Sequence, residues 1–175
     1  MGGTASAWNS QNSDTMRRTI WTAAVAGAYT VWGSAATYET GDPLAEMKGS
    51  ATPPYLRVLH KVMTSLPYVD MEPHNECVTP INVTLDGAEW RTSFALAKPG
   101  EACLVYTLSG GRGTVTLAPG RYSAVRLDPR DGTTTDLGSA SGGTVGFSLP
   151  EGDWVLIYRR TADQHEAKSN DDRHR

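Results

Sequence analysis

A series of short runs with a period of two constrains the fold of this chain more than any other feature. In each run apolar residues, many of them β-branched or aromatic, alternate with polar residues, which is typical of half-buried β-strands. Turn-forming residues separate the runs: Pro119-Gly120 suits a type II turn, and Asp128-Pro129-Arg130-Asp131-Gly132 suits a further tight turn. The predicted strands are residues 81–85, 90–96, 102–108, 114–117, 122–127, 133–137, 144–149 and 154–158.

Seven or eight short strands at this spacing predict an antiparallel β-sandwich over residues 80–160. We expect its core to hold both phenylalanines and the tryptophans of the strands, because aromatic residues at the centre of such runs are usually buried. The predicted core contains Trp90, Phe94, Leu104, Val125, Phe147, Trp154 and Leu156.

Before Pro80 the pattern changes to a helical one. Asp14 is a suitable N-cap for a helix over residues 15–26, and Gly27 stands where a C-terminal stop belongs. A second helix is predicted from Pro53 to residue 66, capped by Thr52. Between the helices, residues 28–32 form a β-branched and aromatic run that predicts one buried strand, followed by a long loop.

One strand cannot form a sheet by itself, because its backbone donors and acceptors would be left without partners. The predicted fold class is therefore mixed: an antiparallel β-sandwich preceded by a piece of α/β architecture whose neighbouring strands belong to a longer protein. In this interpretation residues 1–14 are a flexible start, residues 15–79 are the α/β segment and residues 80–160 are the sandwich. Residues 161–175 are predicted to be a disordered tail.

Composition and charge exclude several classes of function. The formal net charge of -3 and the absence of a basic stripe argue against nucleic-acid binding. The longest apolar stretch, residues 23–32, is too short to span a bilayer, so no membrane contact is expected. No signal peptide is recognisable, which leaves the localisation open. The two cysteines, Cys77 and Cys103, could be free or could form one disulfide.

Two motifs of the second half resemble a known C-terminal module. The turn at residues 128–132 and the strand start Gly152-Asp153-Trp154-Val155-Leu156 stand in the order found in the so-called collagen-binding domain behind the apiosidase-like (DUF4038) glycoside hydrolase barrel. A strand ending in Val-Tyr usually precedes them in that module, and Leu104-Val105-Tyr106 takes that place here.

The resemblance extends into the first half. In the barrel of that family, an Arg-Arg helix with a Trp leads through Ala-Gly-Ala to a strand that ends in an aromatic residue and Gly. Arg17, Arg18, Trp21, Ala26-Gly27-Ala28 and Trp32-Gly33 follow the same order here, although Thr30-Val31 replace the Gly-His that often comes before the last pair.

The resemblance implies that residues 15–79 are helix 7, strand 8 and helix 8 of a TIM-type barrel. The mixed fold is then an antiparallel β-sandwich preceded by an incomplete (β/α)8-barrel segment. It also implies that the complete enzyme cleaves a polysaccharide or glycoside by a retaining mechanism, with two carboxylates about 5–5.5 Å apart. In this family the two carboxylates belong to Glu residues of barrel strands that would lie upstream of Met1. The resemblance therefore implies that the chain is inactive alone. Carbohydrate and the upstream barrel are the implied partners, and neither a metal nor another cofactor is expected.

The candidate substrate-binding residues lie at the end of the predicted strand and on the loop after it, where active sites of this barrel are built. Trp32 could form the floor of a sugar subsite or be part of the barrel wall. Tyr38, Glu39 and Asp42 could donate or accept hydrogen bonds with sugar hydroxyls, or be solvated loop residues. No catalytic residue is assigned within the chain.

Three interpretations of the function stay open at this point. The first is the non-catalytic C-terminal portion of a glycoside hydrolase, whose sandwich packs on the barrel. The second is a stand-alone β-sandwich module that binds carbohydrate or a matrix protein, for which Tyr106, Tyr122 and Tyr158 are the candidate exposed aromatic residues. The third is an unstable truncated product without activity. The sugar, the linkage and the oligomeric state are not predictable from these residues.

Overall fold

The computed structural model describes residues 13–28, 52–80, 82–85 and 88–161 of the chain. The described part is mostly antiparallel β-sheet with two α-helices. The predicted strand after Ala28 and the long loop that follows it lie outside the described residues, as do residues 1–12 and 162–175.

Both predicted helices are present, within about two residues of their expected ends. Helix α1 spans Ser13–Val25 and helix α2 spans Thr52–Thr64. Asp14 is not the N-cap, as the sequence suggested, but belongs to the first turn of α1, where a carboxylate interacts favourably with the helix dipole.

Gly27 ends helix α1, as predicted. Its φ of 79° is in the left-handed region. The amide of Gly27 donates to the carbonyl of Ala24 and that of Ala28 to the carbonyl of Ala23, the pair of bonds that defines a Schellman C-cap. A side chain at position 27 would also collide with Pro73, because a Cβ there would lie 2.8 Å from the Pro73 ring. Both the left-handed backbone and the close contact with Pro73 therefore require glycine at this position.

The sheet contains seven strands in the order β1-β5-β6-β9-β7-β2, with β8 paired along β7, and a separate two-stranded ribbon is formed by β3 and β4. Two of the strands precede Pro80. The bounds are Glu72–Pro73 (β1), Val78–Thr79 (β2), Asn82–Leu85 (β3), Ala88–Arg91 (β4), Ser93–Lys98 (β5), Ala102–Thr107 (β6), Gly111–Leu127 (β7), Thr134–Leu149 (β8) and Trp154–Arg160 (β9).

The long hairpin β7–β8 replaces four of the predicted strands. Pro119-Gly120 does not make a turn between two strands. It lies inside β7, where the register with β8 shifts between Leu117 and Arg121. Proline is compatible with such an irregularity because the ladder needs no N–H there. The turn at residues 128–132 is confirmed: it closes the hairpin, with Gly132 at a φ of 81°.

The irregularity lets β7 pair with different strands along its length. Its first part pairs with β2, at Val78 opposite Val115, and its last part pairs with β9, from Tyr122 to Leu127. The same strand therefore contributes to both sides of the core.

Two hydrophobic clusters lie on opposite faces of the central strands. Alternate residues of β6 and β9 point to opposite faces, as expected for extended strands. One face is covered by the two helices, and its cluster includes Trp21, Val25, Leu59, Val62, Leu96, Leu104, Tyr106, Val155 and Ile157. The other face is covered by the first part of β7, by β2 and by β8, and its cluster includes Val78, Ala95, Cys103, Val105, Val115, Tyr122, Leu156 and Tyr158.

The core prediction is correct for Leu104 and Leu156, which are buried, and wrong for Trp90. Trp90 lies on the β3–β4 ribbon and is 59% exposed. Phe94, Val125 and Phe147 are half-buried, and the first and last of these pack against the two clusters. The alternation around Trp90 resembles that of a buried strand, but β4 ends at Arg91 and β5 begins at Ser93, so the predicted continuous strand is two strands in different sheets.

Trp154 is also not a simple core residue. Its ring is half-buried and lies against two guanidinium groups, 4.7 Å from that of Arg126 and 5.7 Å from that of Arg130. Its indole N–H donates to the carbonyl of Pro150 at 3.0 Å. Cation–π contacts of this kind suit an aromatic residue at the border between core and solvent.

Candidate functional site

A fully buried carboxylate, Asp153, is the centre of the most connected polar cluster in the described residues. It follows Gly152, whose φ of 111° excludes most other residues, and it precedes the first residue of β9. Asp153 is 0% exposed. A carboxylate in such a place must be paired and hydrogen-bonded, because an isolated buried charge would be very unfavourable.

Arg17 of helix α1 provides the main partner. Its Nε donates to Oδ2 of Asp153 at 2.9 Å and its Nη2 donates to Oδ1 at 2.7 Å, so the contact is bidentate. Arg17 is only 1% exposed, and its remaining Nη1 donates to Asp14. Arg17 of the Arg-Arg motif therefore pairs with the acid that directly precedes β9.

Further groups complete the coordination of Asp153. The hydroxyl of Tyr106 on β6 donates to Oδ2 at 3.0 Å, and Nη2 of Arg130 donates to Oδ1 at 3.4 Å. Nε of the more exposed Arg18 lies 3.8 Å from Oδ1, which is an ionic contact without a hydrogen bond. The charge of the carboxylate is therefore compensated from both the helix and the sheet.

Aromatic rings enclose this cluster. Trp21, one turn after Arg17, stacks on Tyr106 with ring centroids 5.7 Å apart. The guanidinium of Arg17 also lies 5.3 Å from the ring centroid of Tyr55 on α2. We call Arg17, Trp21, Tyr55, Tyr106 and Asp153 the docking cluster, because together they join both helices to the sheet.

The electrostatics of the docking cluster follow from this geometry. Hydrogen bonds to Asp153 hold the pKa of Arg17 far above its usual range, although burial acts in the opposite direction. Burial by itself would raise the pKa of Asp153, but the hydrogen bonds and the charge of Arg17, together with the hydrogen bond from Tyr106 and a backbone hydrogen bond, outweigh it and lower the pKa. Burial, followed by the nearby Asp153 charge, raises the pKa of Tyr106 well above its usual value. All three groups therefore keep one protonation state at neutral pH.

The docking cluster is suited to holding structure together and not to catalysis. Its carboxylate is closed off from solvent, so no substrate can reach it. A general acid or base must contact the proton it transfers, and every atom of Asp153 that could do so is already bonded within the cluster.

Residues from four of the motifs that suggested a family meet at this cluster. Arg17 and Trp21 come from the Arg-Arg helix, and Tyr106 ends the Val-Tyr strand. Arg130, which also binds Asp128 at 2.9 and 3.0 Å, comes from the turn at residues 128–132, and Asp153 comes from the last motif. Sequence reasoning recognised the motifs but missed that their residues contact one another. An acid placed directly before an apolar strand was the available signal.

The sequence-predicted sugar-binding residues cannot be placed relative to this cluster. Trp32, Tyr38, Glu39 and Asp42 all lie outside the described residues. The three tyrosines considered for an exposed aromatic surface, Tyr106, Tyr122 and Tyr158, are buried. The prediction that they could form a flat sugar-binding face is therefore wrong, because alternate strand residues at these positions point into the two clusters.

A groove of about 640 Å³ lies between α2 and strands β7 and β9, beside the turn at residues 128–132. Its floor is aliphatic and includes Val58, Val62, Val125, Leu127 and Ile157. Its rim carries four basic side chains and one acidic one: Arg57, Lys61, Arg130, Arg159 and Asp131.

Arg159 is the most informative of the rim residues. Its guanidinium donates to Oγ of Ser65 at 2.8 Å, and burial lowers its pKa. No carboxylate pairs with it among the described residues. The groove therefore presents positive charge above an apolar floor, an arrangement complementary to an anionic ligand.

The described residues contain no group of three or more His, Cys, Asp or Glu side chains placed to hold a metal ion. Neither of their helices combines the length and the apolar character needed to cross a bilayer.

Comparison with protein-family models and with curated proteins finds no match. Solved structures do match. One of them, described as a glycoside hydrolase, has a TM-score of 0.64 and 16% identity over 88% of this chain and 38% of that protein. A second, a glycoside hydrolase family 5 protein from Bacteroides vulgatus ATCC 8482, has a TM-score of 0.64 and 16% identity over 88% of this chain and 37% of that protein.

The chain therefore spans less than half the length of these solved structures. At this level of identity the likeness concerns the fold alone. The described chain has a fold related to part of known glycoside hydrolases.

Proposed function

We propose that this chain is the C-terminal, non-catalytic portion of a glycoside hydrolase that acts on a polysaccharide or glycoside. In the complete enzyme two carboxylates outside this chain perform the retaining reaction. The sheet of this chain serves as a β-sandwich domain that packs on the barrel and stabilises it. The apiosidase-like family is the proposed source of the barrel.

The docking cluster is the observation that carries this proposal. A buried, bidentate ion pair joins residue 17 to residue 153, with Tyr106 as a third partner. Such a pair is strongly favourable only when its geometry is complete, since both charges lose their hydration. We infer that its role is to fix the helices of a barrel segment against the sheet in one orientation.

The division of the chain follows from this role. Residues 15–79 would supply helix 7, strand 8 and helix 8 of the barrel, followed by the short strands β1 and β2 of the sheet. Residues 80–160 would form the rest of the sandwich domain. Trp32, Tyr38, Glu39 and Asp42 would then lie at the carboxyl end of strand 8, where sugar contacts are made in this fold.

The proposal predicts that the chain alone does not hydrolyse glycosides, because it lacks the carboxylate pair. Purified chain should stay at background on a panel of aryl glycosides and on oligosaccharides, measured by released chromophore and reducing ends. Variants Glu39→Gln and Asp42→Asn provide the check. Turnover that either substitution abolishes would show that the catalytic carboxylates are in this chain and would refute the proposal.

A second candidate function is a carbohydrate-binding module, and the groove favours it. Because its rim is basic, the ligand we propose is an acidic polysaccharide, one that carries uronate carboxylates. The aliphatic floor would contact the apolar faces of the sugar rings, and Arg57, Lys61 and Arg159 would pair with carboxylates.

Affinity gel electrophoresis tests this second function. Migration should slow in gels containing polygalacturonate and stay unchanged with neutral cellulose derivatives. Replacing Arg57 and Lys61 by Gln should weaken retention about fivefold, since each exposed ion pair contributes up to about 1 kcal/mol. Arg112→Gln, which removes an exposed arginine of β7 outside the groove, is the matched control. Equal retention of all variants, or no retention by wild type, would rule out the groove as a binding site.

A further inference from the structure

The only two cysteines of the chain lie side by side, although they are distant in sequence. Cys103 is a buried residue of β6, and Cys77 ends the short 3-10 turn Asn75–Cys77 that leads into β2. The two thiols lie close enough for each to shift the pKa of the other. Both side chains also line the same cavity of about 70 Å³, and Cys77 packs on the cluster that contains Cys103.

The backbone around Cys77 is fixed against the sheet, so this contact does not depend on a mobile loop. The amide of His74 donates to the carbonyl of Ala95 at 2.8 Å, and Oδ1 of Asn75 accepts from the amide of Ala95 at 2.9 Å. Directly after Cys77, Val78 pairs with Val115 in β7. These bonds hold the turn that ends at Cys77 against β5. Strand β5 pairs with β6, which carries Cys103.

We propose that Cys77 and Cys103 form an oxidisable pair that closes to an intramolecular disulfide. A disulfide requires sulfur atoms about 2.05 Å apart and Cβ atoms about 3.8 Å apart. Since both side chains line the same small cavity on a fixed backbone, forming this bond requires rotation of the side chains and no rearrangement of the sheet. This inference does not depend on the proposed function and would hold in an intracellular or an exported protein.

The two cysteines have different roles in the oxidation. Cys77 is half-buried, while Cys103 is almost completely enclosed. The hydrogen bond from Cys103 lowers the pKa of Cys77, and the same contact together with burial raises the pKa of Cys103. The thiolate is the reactive form, so Cys77 is the attacking residue and Cys103 the resolving one.

With hydrogen peroxide as oxidant the steps balance. The Cys77 thiolate attacks one peroxide oxygen; a sulfur–oxygen bond forms, the oxygen–oxygen bond breaks and hydroxide leaves, which gives a sulfenic acid at Cys77. Cys103 then gives its proton to hydroxide and attacks the Cys77 sulfur, expelling a second hydroxide. The second hydroxide takes up the proton that Cys77 released when it became a thiolate. Overall, two thiols become one disulfide and one peroxide becomes two waters.

Closing the disulfide would tie the turn before β2 to the central strand β6. Because the crosslink restricts the unfolded chain between positions 77 and 103, it should stabilise the fold. We expect the melting temperature to rise by on the order of 5–10 °C on oxidation and to return on treatment with a phosphine reductant.

The test is stoichiometric hydrogen peroxide followed by thiol counting, non-reducing digestion and mass spectrometry of the monomer. We expect the two free thiols to disappear together and a peptide pair linked through Cys77 and Cys103 to appear. In Cys103→Ser, a sulfenic acid at Cys77 should be trapped by dimedone. In Cys77→Ser, peroxide should leave the melting temperature unchanged. The proposal is overturned if both thiols of the wild type stay reduced, or if Cys77 crosslinks only between molecules; this readout needs no variant to fold.

Discussion

Asp153→Asn should lower the free energy of unfolding at pH 7 by about 3–5 kcal/mol, because it leaves the buried Arg17 without its bidentate partner and with only the exposed Asp14 as a counter-charge. Urea denaturation followed by tryptophan fluorescence measures the change. Glu151→Gln is the matched control: Glu151 is exposed, two residues away in the same turn, and its replacement should change stability by less than about 0.5 kcal/mol. Equal stability of Asp153→Asn and wild type would mean that the ion pair contributes nothing to the fold.

The stability difference between wild type and Asp153→Asn should also depend on pH. The folded-state pKa of Asp153 is lower than its ordinary value, which is about 3.9 for a solvated aspartate. The stabilisation from its ionisation is therefore complete above the ordinary value and decreases as pH falls through the lower folded value. The same titrations repeated between pH 7 and pH 3 should show the two proteins becoming more similar. A difference that widens toward pH 3 would contradict the assigned direction.

Trp21→Ala should cost about 3–5 kcal/mol, whereas Trp90→Ala should cost less than about 1 kcal/mol. Trp21 is fully buried between the helices and the sheet, where it stacks on Tyr106. Trp90 is mostly exposed on the ribbon, so its removal leaves no cavity. The two variants lose the same atoms, and only their surroundings differ.

Thermal unfolding of both tryptophan variants, followed by far-UV circular dichroism, is the measurement. The account requires a melting temperature clearly lower for Trp21→Ala than for Trp90→Ala. If Trp90→Ala is the more destabilised variant, the ribbon packs more tightly than described and the original assignment of Trp90 to the core was correct.

The sequence was sufficient to predict the helices and the general β character of the second half. Helical periodicity identified both helices because their buried residues, such as Val25 and Leu59, recur on one face. Strand pairing was harder. Pro119-Gly120 carries the residues of a turn, and only the partner strands decide that it is an irregularity within β7. Local turn propensity was overridden by pairing along a long hairpin.

The docking cluster could not be predicted as a cluster. Arg17 and Asp153 are far apart in sequence, and neither residue alone indicates a buried partner; a solvated arginine at the start of a helix is the ordinary expectation. The motifs indicated that the positions matter, but not that they meet. Their contact depends on the packing of α1 on β5 and β6, which no local pattern contains.

The central claim, that Arg17 and Asp153 act as one unit that docks the helices on the sheet, is tested most directly by a double-mutant cycle. Wild type, Arg17→Met, Asp153→Asn and the double variant are unfolded in urea under the same conditions. Each single change leaves the other buried charge without its bidentate partner. The double variant should therefore be more stable, by about 2–3 kcal/mol, than the sum of the two single losses implies. Losses that add to within about 0.5 kcal/mol would show that the two residues act independently, and the claim would be contradicted.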